Sequence, residues 1–373
     1  MPKGGSYDRA LRLPQGKWAT RRLRKATAMT VLKSIWAHAQ GRYALIVLSA
    51  WVLIALASLL WTPHSLWATD GYHVWAAPST DHWLGTDGTG ADVFSWLMAG
   101  SRTNLLIVVL TIGVSAVIGL LLIAAMVSGA AMLSGVTVVA VDALISIPTV
   151  LIALILAVPM GASIAVIVIA CGLGYGLNLA RVARPQALLA ARSDYAEAAR
   201  AAGVSPLRVL VSHIVPNALP TMSVQLSLSA GTAVLAESGL TYLGIGVPSG
   251  VPSWGHSLAT SVKFINVYPI TVLWPGLIVT CVVVALNLFG DALREAADPV
   301  ANPALRQVRV RRAEASHAQP GLTEPEPIGL KQAEIRQTEP GQSRLEQEEP
   351  SQVKSRQTRL PQPEPMQSKQ VRS

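Results

Sequence analysis

Apolar residues fall into six long runs along this chain, separated by shorter polar segments. The runs cover residues 43–61, 104–126, 136–158, 163–179, 221–244 and 269–290. An apolar run of about 20 residues, wound into an α-helix, is long enough to cross the hydrocarbon of a bilayer. Backbone groups in lipid have no water to bond, so such runs are expected to be helical. The pattern predicts an all-α integral membrane protein with six transmembrane helices.

The two ends of the chain differ from this apolar part. Residues 1–42 hold ten lysines and arginines but one acid, and the first apolar run is too long for a signal peptide. Residues 301–373 are rich in Gln, Glu, Pro and Arg, a composition that cannot bury a core. We expect a basic cytoplasmic segment over 1–42, a transmembrane domain over 43–300 and a disordered cytoplasmic tail over 301–373.

Basic residues are distributed unevenly between the apolar runs. The net charge is +9, and 28 of the 30 lysines and arginines lie in residues 1–42, in residues 180–220 or after residue 290. Such clustering between apolar runs indicates membrane orientation rather than nucleic-acid binding, because cytoplasmic segments carry an excess of basic residues. Six crossings then place both termini, the turn at 127–135 and the segment 180–220 in the cytoplasm.

The segment 180–220 interrupts the apolar pattern and predicts a short helix. Asp194 is expected to cap this helix, with Glu197 at its third position completing a capping box. Gly203 suits the left-handed residue that follows such a helix. The helix has a narrow face of mostly small residues at helical spacing. They are Tyr195, Ala198, Ala199 and Ala202. A small-faced helix projecting from a membrane bundle is typical of a docking element.

A second short helix is predicted directly after the first. Ser205 followed by Pro206 is typical of a helix start, and Pro216 is expected to end the helix. His213 is interpreted as a structural residue, because no second metal ligand lies at a useful spacing.

Asp142 and Glu237 are ionisable residues within predicted spans. Charged groups are costly in hydrocarbon, so both are expected to face the bundle interior or water. They either line a pathway or hydrogen-bond neighbouring helices, and Asp142 could also sit near the cytoplasmic end of its span. Gly172 and Gly176 are spaced as in a G-x-x-x-G motif, which favours close helix packing.

The sequence contains none of the patterns expected of an enzyme. It has no P-loop, no H-E-x-x-H and no G-x-S-x-G, and its two cysteines, Cys171 and Cys281, lie within apolar runs. We therefore predict neither a catalytic residue nor a metal site. Several tryptophans in polar loops are expected to meet a delivery protein or to lie in the interfacial belt. They are Trp67, Trp75, Trp83 and Trp254.

The segment 180–220 resembles the EAA loop of ABC-importer permeases. The likeness rests on Glu197-Ala198-Ala199, Gly203, Ile214 and Leu219-Pro220. Other strings, taken in order, are similar to the C-type permease subunit of the dipeptide, oligopeptide and nickel importer family. They are HWLGTD from residue 82, GADV from 90, GSR from 100, ESGLTYLGIG from 237, PSWG from 252 and NLFGDALR from 287.

This resemblance implies the type I permease fold of ABC importers and a function in the uptake of di- or oligopeptides across a prokaryotic plasma membrane. The chain would act with a second homologous permease subunit, two nucleotide-binding ATPase subunits and an extracytoplasmic solute-binding protein. It would bind no cofactor itself, since ATP and Mg²⁺ are used by the ATPase subunits. The coupling residues implied on the EAA loop are those of one short helix and its end. They are Tyr195, Glu197, Ala198, Ala199, Arg200, Ala202 and Gly203.

Other functions stay open on the residues alone. Nickel or another small solute would fit the same permease pattern. A passive channel or an ion-coupled carrier is a different class, disfavoured by the docking segment and by the lack of inverted repeats. Arg200 would either contact a partner or face solvent and lipid phosphates, whereas Glu197 could serve both as a cap and as a contact.

Overall fold

The computed structural model describes residues 31–297. Regular structure in this part of the chain is helical, apart from an isolated bridge between Thr86 and Asp92. Residues 31–37 form a first helical stretch. The helices that follow are α1 (Ala39–Ala57), α2 (Val93–Met126), α3 (Ala131–Ile145), α4 (Thr149–Met160), α5 (Ile164–Ala191), α6 (Asp194–Ala201), α7 (Pro206–Val209), α8 (Val215–Tyr242), α9 (Trp254–Val262) and α10 (Ile270–Ala297).

Five helical stretches of the described residues are long and apolar enough to cross a membrane. They are α1, α2, α5, the continuous stretch from α7 to α8, and α10. A sixth crossing results if α3 and α4 together form one span. The prediction of an all-α membrane protein is confirmed. We call the end of the bundle that holds residues 58–92 and α9 the loop end, and the end that holds α6 the insert end.

The third predicted run is not one straight helix. α3 and α4 meet at a bend of 86°. The break falls at Ser146, Ile147 and Pro148, where proline disfavours helical backbone in the residue before it. The predicted run at 136–158 is therefore a broken span or a re-entrant pair, and α3 begins within the predicted turn at 127–135.

Three helices extend past the predicted limits. α2 begins at Val93, because the Asp92 carboxylate accepts a capping hydrogen bond from the Ser95 N–H at 2.8 Å. α5 continues to Ala191, well beyond residue 179. The prediction that Pro216 ends a short helix is wrong. It lies in the first turn of α8, where a missing N–H costs little, and a π-helical segment, Leu210–Ile214, joins α7 to α8.

Glycines allow α2 and α5 to pack closely. A Cβ added at Gly172 would lie 2.6 Å from Val114 Cγ1, and one at Gly176 would lie 2.8 Å from Ile118 Cβ. Neither distance is possible without moving a helix, so only glycine fits at these positions. The close packing predicted from the G-x-x-x-G spacing is confirmed.

Candidate functional site

The helix predicted as a docking element lies at the insert end as α6. Its first residue is Asp194, so Ser193 occupies the N-cap position. The predicted capping box does not form, because the N-cap residue makes no side-chain capping bond and its hydroxyl donates to the Ala190 carbonyl at 2.6 Å. Asp194 and Glu197 instead lie in the first turn, where their negative charge is favourable near the helix N-terminus.

The C-terminus of α6 is closed by Gly203, as predicted. Its φ is +77°, in the left-handed region. The Gly203 N–H donates to the Arg200 carbonyl at 2.9 Å, and the Val204 N–H donates to the Ala199 carbonyl at 3.0 Å. The two bonds form a Schellman motif, which satisfies carbonyls that the helix itself leaves free.

Replacing Gly203 with alanine is expected to lower the stability of this turn by about 1 kcal/mol, since residues with a Cβ are strained at positive φ. Apart from Gly203 itself and its two neighbours in the chain, no atom of the described residues lies within 4 Å of the added Cβ, so crowding makes no contribution. Asparagine, which tolerates this conformation better, should cost less. Thermal unfolding in detergent measures the loss. Gly113→Ala is the control, because this helical glycine also has open space. Equal losses at both positions would contradict the assignment.

α6 is attached to both membrane helices that flank it. The Ala196 side chain is fully buried in a core formed by α2, α5 and α8. Arg200 donates from Nη2 to the Ala191 carbonyl at the end of α5. On the other side, Asn217 of α8 donates to the Tyr195 hydroxyl at 3.1 Å. α6 therefore contacts both α5 and α8 directly.

The outer face of α6 is exposed and consists mainly of small side chains. Ala198 and Ala202 are exposed, while Ala199 is half-buried against the core. Glu197 is exposed, and its carboxylate has no hydrogen-bond or ion-pair partner within residues 31–297. Beside Tyr195, a cavity of about 310 Å³ lies between the end of α5 and the start of α8. We call this combination of exposed α6 face and adjacent cavity the insert surface.

Asp142 is exposed on α3 and contacts α5. Its Oδ1 lies 3.6 Å from the Arg181 Nε, and both side chains are more than half exposed. Such exposed ion pairs contribute about 0–1 kcal/mol. Asp142 was predicted either to line a pathway or to contact a neighbouring helix. The ion pair with Arg181 supports the contact with a neighbouring helix.

Glu237 is fully buried at the centre of a hydrogen-bond network. Its Oε2 accepts from Asn104 Nδ2 at 2.9 Å and from the Ser238 hydroxyl at 3.3 Å, and its Oε1 accepts from the Thr241 hydroxyl at 3.1 Å. The Asn104 Oδ1 in turn accepts from the Trp254 N–H at 3.1 Å. The carboxylate thus joins α2, α8 and α9, which supports a packing role.

Trp254 belongs to the core of the loop end. It is 1% exposed, and its indole N–H donates to the Leu97 carbonyl at 3.0 Å. Its prediction as a surface tryptophan is therefore wrong. The next residue, Gly255, approaches Glu237 so closely that an added Cβ would lie 2.7 Å from Oε1. Trp67 and Trp83 are exposed, as expected for tryptophans that meet the interface or a partner.

Three side chains that sequence reasoning did not bring together meet at the loop end. Asp92 Oδ1 lies 3.0 Å from His82 Nδ1, and Asp92 Oδ2 lies 3.5 Å from His64 Nδ1. The carboxylate is 2% exposed, whereas the two imidazoles are partly exposed. Burial acts to raise the pKa of Asp92, but hydrogen bonds from Ser95 and His82 and the nearby His64 outweigh it and lower the pKa. His64 and His82 are 18 residues apart, and His82 and Asp92 are 10 residues apart. These intervals match no metal motif, so only the fold reveals this cluster.

A further cavity of about 290 Å³ lies at the loop end beneath residues 66–96. It is lined by aromatic side chains together with Asp87 and His256. Burial, followed by the positive charge of Lys263, lowers the pKa of His256, which favours the neutral imidazole. The aromatic lining residues are Trp67, Trp75 and Trp96.

Comparison with known proteins finds a family model that matches residues 115–301, described as a binding-protein-dependent transport system inner membrane component. This range includes α6, Glu237 and α10. The probable peptide ABC transporter permease protein y4tQ of Sinorhizobium fredii is 35% identical over 253 residues, which are 68% of this chain and 86% of that protein.

Two further relatives have similar sequence identity to this chain and similar coverage of it. The nickel transport system permease protein NikC of Escherichia coli is 32% identical over 258 residues, 69% of this chain and 93% of that protein. The dipeptide transport system permease protein DppC of Alkalihalophilus pseudofirmus is 32% identical over 260 residues, 68% of this chain and 84% of that protein. The chain therefore belongs to the family of binding-protein-dependent transport system inner membrane components, and it is a transmembrane permease subunit of an ABC importer.

Proposed function

We propose that this permease subunit passes di- or oligopeptides into a prokaryotic cell and that separate ATPase subunits drive it through the insert surface. The observation that carries the proposal is α6 itself. Its inner face is bonded to α5 and α8, while its outer face is exposed and small enough for a partner to approach closely. A helix of this kind converts the movement of a bound partner into movement of two membrane helices.

The chain would work as one half of a translocation pathway. A second, homologous permease subunit supplies the other half, and two ATPase subunits bind Mg²⁺ and ATP. Closure of the ATPase subunits on ATP moves α6 as a rigid body and switches the shared cavity from inward- to outward-facing. An extracytoplasmic binding protein then delivers the solute at the loop end. The coupling residues are those predicted on α6 and at its C-terminal end. Within this set, Arg200 attaches α6 to α5 through its hydrogen bond to the Ala191 carbonyl.

We further propose that the insert end faces the cytoplasm of a plasma-membrane protein with both termini inside. The basic residues of the described membrane part support this, because five of the eight that follow α1 lie within residues 181–208, on or next to α5, α6 and α7. Ile35 also packs in one cluster with Ala292 and Ala296, so the described ends of the chain lie at the same end of the bundle. The basic segment 1–42 falls largely, and the predicted tail 301–373 entirely, outside the described residues.

Peptide as the solute is supported by the names of two relatives, a peptide permease and a dipeptide permease. A nickel permease is similar to a comparable degree, so a metal ion or another small solute is the second candidate.

Reconstituted transport tests the proposal. The full chain is co-expressed with permease, ATPase and binding-protein subunits from the same genome, purified and placed in liposomes. Uptake of a labelled tripeptide should require ATP and the binding protein, and Glu197→Lys should reduce it. Uptake of nickel without uptake of peptide would overturn the peptide assignment. Uptake that needs no ATPase subunits would identify a passive channel or a carrier instead.

A further inference from the structure

Residues from three separate parts of the chain converge next to the first turn of α2. His64 follows α1, His82 lies in the last third of the connecting segment, and Asp92 caps α2. Their ligand atoms all lie within 4.8 Å of one another. The two imidazole rings lie 4.7 Å apart, each facing one oxygen of the same carboxylate.

The Asp92 carboxylate is held in a fixed orientation. Its Oδ2 accepts from the Ser95 N–H at 2.8 Å and from the Ser95 hydroxyl at 2.6 Å. These bonds fix the carboxylate with Oδ1 beside His82 and Oδ2 beside His64. A carboxylate positioned by neighbours in this way resembles those that bind metals, which are themselves hydrogen-bonded.

One nitrogen of the cluster is left without a hydrogen bond. His64 Nδ1 is buried and has no hydrogen-bond partner within the described part of the chain, although it lies 3.5 Å from Asp92 Oδ2. A buried polar atom without a partner is rare and points to something additional at that place, such as an ion. The atom faces the carboxylate, so an ion between them would satisfy both.

The distances suit a shared cation. Ligands at about 2.0–2.2 Å from one metal ion lie about 3.0–3.5 Å from each other. The two nitrogen-to-oxygen distances, 3.0 and 3.5 Å, fall in this range. Imidazole nitrogens with a carboxylate favour zinc and its neighbours among the transition metals, whereas calcium and magnesium prefer oxygen ligands. A cavity of about 250 Å³ lined by His64 and Asp92 leaves room for a water molecule as a further ligand.

We propose that His64, His82 and Asp92 bind one divalent transition-metal ion of the zinc class. The ion is resident, not transported: it ties the segment between α1 and α2 to the first turn of α2. It holds two points of this segment, 18 residues apart, on one buried carboxylate. The site does not depend on which solute the permease carries.

A second histidine–aspartate contact in the same segment provides an internal comparison. His73 Nδ1 lies 2.6 Å from Asp70 Oδ2, and both side chains are exposed. Among the described residues, this pair has no third histidine, cysteine or carboxylate close enough to complete a metal site. It is therefore a hydrogen-bonded pair with one imidazole, which lacks the ligands for tight metal binding.

Zinc binding by the purified full-length chain tests the proposal. The chain carries no polyhistidine tag, is stripped of metal in detergent, and competes with a chromophoric chelator for Zn²⁺. One ion per chain is expected, with an affinity at least about a hundredfold weaker in His64→Asn and His82→Asn. His73→Asn should bind like the unmodified chain. Asparagine keeps an N–H near the position of Nδ1 and so preserves hydrogen bonding, but it lacks the imidazole lone pair.

Unfolding temperatures measured with and without Zn²⁺ distinguish loss of a metal ligand from loss of the fold. Zn²⁺ should raise the unfolding temperature of the unmodified chain and of His73→Asn, and leave that of the two site variants unchanged, because an ion stabilises only the state that binds it. His64→Asn remains informative if His82→Asn does not fold, since His64 Nδ1 loses no hydrogen bond on replacement. Absence of stoichiometric binding, or equal weakening in His73→Asn, would overturn the proposal.

Discussion

Replacing Glu237 with alanine is expected to destabilise the chain by about 3–5 kcal/mol. The change removes the acceptor of hydrogen bonds from Asn104, Ser238 and Thr241, and leaves buried donors unsatisfied at about 1–3 kcal/mol each, with some relaxation. It also leaves a cavity against Gly255, which closely approaches the carboxylate. SDS-induced unfolding in mixed micelles, followed by tryptophan fluorescence, measures the loss.

Glu237→Gln distinguishes a packing role from a role in transport. Its amide oxygen can accept from Asn104, and its amide N–H can donate to the Thr241 hydroxyl, so it should lose about 1 kcal/mol or less. Glu295→Ala is the matched control, since this glutamate of α10 is half exposed and should change stability by less than about 0.5 kcal/mol. Transport that fails in a stable Glu237→Gln chain would contradict a purely structural role and identify Glu237 as part of the pathway.

Ala198→Arg is expected to reduce ATP-driven uptake strongly while leaving the chain folded. Ala198 is exposed on the outer face of α6, so the new side chain disturbs no internal packing. In a closely packed contact with an ATPase subunit, the added bulk should cost about 1–3 kcal/mol, a loss of about 5–150-fold in coupling. Uptake and ATPase activity in proteoliposomes, together with co-purification of the ATPase subunits, measure the effect.

The control for this change lies at the same end of the bundle. Ala131, the first residue of α3, is also exposed but is not part of the insert surface. Ala131→Arg should leave uptake close to that of the unmodified chain, and Ala198→Ser should retain most of it. Normal uptake by Ala198→Arg, or equal losses at both positions, would show that α6 is not the docking helix.

The motif strings divide between the two ends of the bundle. Those of residues 82–102 and 237–255 meet at the loop end, where Glu237 and Trp254 connect α2, α8 and α9. The string around Glu197 lies at the insert end, on a surface with no internal partner for its carboxylate among the described residues. The buried residues of the first group support the fold, whereas the outer face that carries Glu197 stays exposed.

Local patterns predicted the features that depend on neighbouring residues in the chain. The apolar runs identified the membrane helices, because hydrocarbon selects composition over about 20 consecutive residues. Gly203 was identified as a helix end, since its role depends only on its own φ. The helix limits were less accurate: α5 continues through polar residues to Ala191, and Pro216 begins α8 rather than ending a helix.

Only the tertiary structure decided which distant side chains meet. By sequence alone Glu237 is an ionisable residue in a span and Trp254 a loop tryptophan, and neither reveals Asn104 as their common partner. Likewise, His64 and His82 reach Asp92 only because the segment after α1 folds back onto the start of α2. Hydropathy and helical periodicity act over a few turns, whereas contacts across 133 or 150 residues depend on how the helices pack. The sequence thus determined a helical membrane protein with a short polar helix between two of its spans, and the packing decided which of its polar residues support the fold and which stay exposed.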